Sequence, residues 1–253
     1  MGAERIGRKN TEVSKKPEKG CSFKLYTTLA GFAIIYAMGY RGLTEITSLQ
    51  GEVNLPKTKE KISGVFAPGV RHWSTQIRKW AKEYDLPPNL VATVMQIESC
   101  GNPLAQSPDG AAGLFQVMPY HFEGNEDPLN PQINARRGLN YLRWIWDLSD
   151  RNLAATFAGY NGGPKAIEWI LENITEEGYI NFLISKDWKQ ENAEAKSKQV
   201  QRFIRWGTGI LNDIENGLNP SPTLNEWYNA GGVSLCGDAE DVLGLTPTPT
   251  PIP

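Results

Sequence analysis

From about residue 70 to residue 216 apolar side chains recur at spacings of three and four, and no segment alternates convincingly enough for a strand. That single feature restricts the chain to an all-α domain built mostly of short helices. Trp73, Ile77, Trp80, Ala81 and Tyr84 mark one face of a first helix, which must stop before Pro87-Pro88. Asn89 is the expected cap of a second helix, running to Glu98. Asn130-Pro131 predicts an N-cap followed by Pro at the first helical position, with Leu142, Ile145 and Trp146 facing inward. Asn152 opens an Ala-rich helix that ends at Tyr160-Asn161-Gly162-Gly163. Thr175-Glu176-Glu177 starts another, and Glu191 to Glu215 reads as a long final helix.

The ends differ in kind. Residues 1–24 are a basic leader, with Arg5, Arg8, Lys9, Lys15, Lys16, Lys19 and Lys24 against Glu4, Glu12 and Glu18. An uncharged run follows and ends at Arg41, so 25–41 is read as a transmembrane anchor with its basic flank in the cytoplasm. A cleaved signal peptide is the alternative, because Ala37-Met38-Gly39 offers small residues at a cleavage-like position. Both readings export everything beyond. Residues 42–69 then form a linker, 70–216 the domain, and 217–253 an extension ending in a Pro/Thr tail that cannot pack. Cys100 and Cys236 are the two cysteines beyond the apolar run, and export makes a disulfide between them the expectation over two buried thiols.

Composition removes several chemistries. With 253 residues and a net charge of -2, the chain has no basic field for nucleic acid. His72 and His121 stand far apart without a Cys/His/Asp cluster, so neither a structural metal nor a Ser-His-Asp triad is expected. No phosphate-binding Gly-rich loop opens a helix, and no cofactor is implied. What stands out is "VMQIESCGNPLAQSPDGAAGLFQVMP", Val94 to Pro119. A carboxylate, Glu98, closes an apolar helix and is followed at once by a glycine-hinged loop with one polar residue, Gln116, in its second apolar run. Alone, such a glutamate is simply a helix end reaching water. If desolvated, it becomes a proton donor near neutral pH.

Glu98-Ser99, then Gly113-Leu114-Phe115-Gln116 with Met118-Pro119, then Tyr160-Asn161-Gly162 occur in that order within one helical domain. In this the chain resembles the soluble-lytic-transglycosylase-like domains, a lysozyme-like family of glycoside hydrolase family 23 type that includes goose-type lysozymes. The resemblance covers roughly residues 72–215. It implies a lysozyme-like fold with a groove for peptidoglycan, Glu98 as the catalytic glutamate, and Ser99, Gly113, Leu114, Gln116, Met118, Tyr160, Asn161 and Gly162 as residues of the substrate site. One departure is plain: where the family often carries Tyr-Val after a Glu, this chain has Phe203-Ile204 and Gln199, so Phe203 is expected only to pack. The implied activity is exported lytic transglycosylation by a monomer, in which one glutamate serves as acid and then as base and 1,6-anhydromuramyl ends are formed. A hydrolytic muramidase on the same fold and a non-catalytic glycan-binding module are the competing readings.

Overall fold

The computed structural model describes residues 61–172 and 174–245, all within one compact unit spanning 52–253. The described residues are helical throughout, apart from turns and two isolated β-bridges, Gln106 with Ala112 and Ala112 with Val117. The helices are α1 (Pro68–His72), α2 (Ser74–Glu83), α3 (Pro88–Ser99), α4 (Pro131–Leu148), α5 (Leu153–Gly162), α6 (Pro164–Leu171), α7 (Glu176–Ile184), α8 (Gln190–Glu215), α9 (Pro222–Trp227) and α10 (Val233–Leu243).

Several starts follow the expected chemistry. Asn130 caps α4 by accepting from the Gln132 and Ile133 amides, Asn152 caps α5 through the Ala155 amide, and Thr175 caps α7 through Gly178. Asn89 does not cap α3. The helix begins two residues earlier than that cap would set, at Pro88, whose fixed φ and missing N–H suit the first position, and Asn89 Oδ1 accepts from the Ser63 amide instead. Nor is α8 the last helix, since α9 and α10 follow it. Helix α6, unmarked by the sequence pattern, is inserted between α5 and α7.

Helix α3 runs through the middle, buried on nearly every side from Leu90 to Ile97. A helix with an apolar surface all round belongs in a core. The 26-residue α8, about 39 Å long at 1.5 Å per residue, packs against α3, α5, α7 and α9. Core packing passes both expected domain boundaries of 70 and 216: Ile62, Phe66 and Ala67 at one end, and Leu224, Trp227, Cys236 and Ala239 at the other, join the same apolar cluster. Cys100 and Cys236 form the expected disulfide, with Cα atoms 5.1 Å apart, tying α10 to the end of α3. The apolar run 25–41, the leader and most of the linker lie outside the described residues. Among the described residues no helix is long and apolar enough to cross a membrane.

Candidate active site

The site grows from the last turn of α3. Glu98 is half-buried there while its neighbours Ile97 and Ser99 are buried. Its carboxyl is pushed up to about 8, chiefly by desolvation, and the Lys196 charge pulls the other way. The carbonyl end of α3 adds a negative partial charge that also disfavours the carboxylate. Glu98 is therefore held as an acid at neutral pH.

After Glu98 the chain turns sharply. Cys100 takes the left-handed conformation at φ 51°, and Gly101 follows at φ 85°. Only glycine fits at 101, because a Cβ there would lie 2.5 Å from the Gly69 backbone. Ser99 is fully buried and spends its hydroxyl on the loop: it donates to the Leu114 carbonyl at 2.7 Å and accepts from the Gly101 amide at 3.1 Å. Although the resemblance counts it with the substrate site, Ser99 has no surface for a ligand. It is a positioning residue, as is Leu114, which lies wholly in the core.

The segment Gly113–Gln116 is a tight turn, with the Gln116 amide bonded to the Gly113 carbonyl at 3.1 Å. Two side chains fix it from below. Asn134, fully buried on α4, donates to the Ala112 and Pro128 carbonyls at 2.7 and 2.9 Å and accepts from the Phe115 amide at 2.9 Å. The Tyr160 hydroxyl donates to the Phe115 carbonyl at 2.8 Å. Burial, and next the nearby Glu98, raise the Tyr160 pKa well above its ordinary value, so the phenol keeps its proton and the bond. Gln116 is half-buried, and its Nε2 donates to the Ala105 and Gly113 carbonyls at 3.1 and 3.0 Å. With both N–H groups taken, what Gln116 has left for a ligand is its carbonyl oxygen, an acceptor only.

Helix α5 ends in Tyr160, Asn161 and Gly162. A Cβ on Gly162 would meet Val200 at 2.7 Å, so this glycine lets α5 approach α8. Lys196 of α8 reaches Asn161 Oδ1 and Gln199 Oε1, each at 3.2 Å. Its pKa is lowered, first by burial, while Glu98 and Asp109 pull it upward. Lys196 and Asn134 are the site residues that motif reading missed. Each had a signal: a polar residue set in an otherwise buried helical stripe, Lys196 between Ala193 and Val200, Asn134 beside Ala135 and Gly138.

Phe203 packs as expected, stacked on Tyr160 at 6.2 Å and edge-on to Phe157 at 6.0 Å. Met118 is half-buried at the loop's exit. Of the other nearby carboxylates, Asp109 is exposed at the loop tip. Glu126 is held down at about 2 and Glu123 is also lowered, both mainly by hydrogen bonds from Arg137. Glu123 and Glu126 are thus held as carboxylates paired with Arg137.

Residues 75–182 match the family model of the transglycosylase SLT domain. Over that segment the chain is similar to SLT domains. Its relatives include a soluble lytic murein transglycosylase of Escherichia coli (strain K12), 28% identical over 108 residues, which are 38% of this chain and 17% of that protein. The transglycosylase of Enterobacteria phage PRD1 is 36% identical over 104 residues, 40% of this chain and 38% of that one. The membrane-bound lytic murein transglycosylase C of Actinobacillus pleuropneumoniae serotype 5b (strain L20) is 29% identical over 126 residues, 42% and 34% of the two chains. The match thus spans less than two-fifths of each of these relatives. The SLT match contains Glu98, the 113–118 loop, Asn134 and α5, whereas Lys196 and Phe203 lie beyond it.

Proposed function

We propose that this chain is an exported peptidoglycan lytic transglycosylase with a lysozyme-like fold. It cleaves the β-1,4 bond between N-acetylmuramic acid and N-acetylglucosamine and leaves 1,6-anhydromuramyl ends. The observation that carries the proposal is Glu98, a carboxyl held protonated to about pH 8 at the wall of an SLT domain. A glycosidic oxygen leaves poorly until protonated, and a desolvated carboxylic acid is a well-matched donor.

In the first step Glu98 gives its proton to the bridging oxygen as the bond from the anomeric carbon breaks. The substrate's own acetamido oxygen takes up the positive charge at that carbon. Glu98, now a carboxylate, accepts the proton of the muramic acid 6-hydroxyl while that oxygen closes on the anomeric carbon. No water is consumed, and Glu98 ends protonated. Lys196 suits the second state, because its charge favours the carboxylate that the first step creates. Gln116, Met118 and Asn161, all half-buried, are assigned to sugar contact, whereas Gly113 is buried with its N–H on Ala105 and its carbonyl on Gln116.

Hydrolysis by a muramidase would need a second carboxylate to activate water. Asp109 is the candidate, since it shares the Lys196 charge with Glu98. Mass spectrometry of a sacculus digest separates the readings: an anhydro end is one water lighter and resists borohydride. Reducible muramic acid ends would favour the muramidase, and no soluble muropeptide at all would favour a binding module.

Export belongs to the same proposal, with 25–41 as the membrane anchor and a cleaved signal as its alternative. Protease added to intact protoplasts should remove the domain and spare the basic leader. Soluble protein beginning at Tyr40 would instead establish cleavage.

A further inference from the structure

The aromatic contacts of the site do not stop at Tyr160. Tyr141 of α4 lies 5.6 Å from the Tyr160 ring, and Trp144 lies 5.7 Å from Tyr141. His121 packs 5.0 Å from the same Tyr141, and Tyr120 packs 4.6 Å from His121. These four pairs meet at 47° to 55°, tilted and not stacked, so the rings do not cover one another's faces.

The inner end of the row is fixed. The Tyr141 hydroxyl donates to the Gly159 carbonyl at 3.1 Å, and Tyr160 holds Phe115. The outer end is open to water, with Trp144 50% and Tyr120 76% exposed. A single exposed aromatic needs no explanation, but a contiguous row leading out from Tyr160, which neighbours Glu98, does. The row carries no side chain of fixed charge, and burial lowers the His121 pKa, which favours the neutral imidazole. It therefore offers nothing to pair with a phosphate or a carboxylate. What it offers is ring faces with negative quadrupole, which suit the C–H face of a pyranose whose hydroxyls and acetamido group stay at the rim.

We propose that Tyr120, Tyr141 and Trp144, with His121 between Tyr120 and Tyr141, form a stacking subsite for an N-acetylhexosamine unit of the glycan, remote from the scissile bond. The proposal rests on the glycan-cleaving reading of the site, through the ring contact between Tyr141 and Tyr160. The subsite adds affinity for long strands and plays no part in the bond cleavage itself.

The test uses the full chain carrying Glu98→Gln, titrated with the trimer and the hexamer of N-acetylglucosamine. Trp144→Ala and Tyr120→Ala in that background should each weaken hexamer binding about two- to tenfold, as expected for one aromatic stacking contact, and leave trimer binding unchanged. Trp144→Phe, which keeps a flat ring, should restore most of the loss. Hexamer affinity untouched by both alanine variants overturns the subsite, as does equal weakening for trimer and hexamer or a parent that binds no hexamer. Muropeptide release by the unsubstituted chain is scored separately. Its absence alongside Trp144-dependent hexamer binding would sink the catalytic reading and leave the subsite standing.

Discussion

At the scale of single residues the site turns on how tightly Glu98 holds one proton. Its pKa is near 8 in the folded chain against an ordinary value of 4.5, so between those pH values the folded state binds more protons than the unfolded one. Stability conferred by this group must then fall as pH rises through that window. Glu98→Gln has nothing to titrate. It should be more stable than the parent by ~2–4 kcal/mol near pH 9, with the difference vanishing below the ordinary carboxyl pKa. Denaturant midpoints across pH measure this, and a flat difference would contradict a desolvated acid. The same substitution should lower muropeptide release by at least ~100-fold, because an amide cannot donate that proton. Lys196→Met removes the charge that favours the Glu98 carboxylate, so the alkaline limb of activity should move upward, while Lys196→Arg leaves it in place. An unmoved limb in the methionine variant would remove Lys196 from the site.

At the scale of elements, the acid is useful only because a loop without regular structure is held still beside it. Ser99 ties that loop to α3, Asn134 ties it to α4 and Tyr160 ties it to α5. Asn134→Ala would leave the Phe115 amide and the Ala112 and Pro128 carbonyls without that partner in and around the core. The expected cost is ~2–4 kcal/mol, since unsatisfied buried groups lose their full hydration. Activity should fall further than stability alone explains; a variant with wild-type turnover and a lowered midpoint would make Asn134 a purely structural residue. Gly113 shows why the loop admits little else: at φ 72°, a Cβ would stand 2.4 Å from Asn134 Nδ2.

At the scale of the whole molecule, the described core is closed from both ends. Residues before α2 and after α8 fill the same cluster as α3, and the Cys100–Cys236 bond joins the end of α3 to α10 across 136 residues. In the chain-entropy picture a loop of that size is worth ~4–5 kcal/mol. Labelling of the denatured, unreduced chain should find one reactive thiol, Cys21; three would mean the bond does not form. Cys236→Ser should lower the unfolding free energy by a comparable amount, read from denaturant titration, while leaving the Glu98 loop intact. Gln96 supports this junction from inside the core, accepting from the Ala67 amide at 2.9 Å with its Nε2 3.1 Å from Cys100 Sγ.

The family resemblance supplied the candidate acid Glu98 and the motifs around it, whereas periodicity and local chemistry alone determined the helical class and the starts of α4, α5 and α7. These are legible because a cap, a proline or an apolar stripe acts within a few residues of itself. Short helices were not: α1, α6 and α9 have too few turns for a repeat to emerge, and α10 lies in a stretch read as an extension. Tertiary structure decided the rest. Whether Ser99 meets a sugar or a backbone carbonyl, whether Asn89 caps a helix or holds Ser63, and whether Lys196 faces water or Asn161 are outcomes of packing between segments distant in sequence. The raised pKa of Glu98 belongs to the same class, because desolvation is a property of the enclosing helices and not of the glutamate.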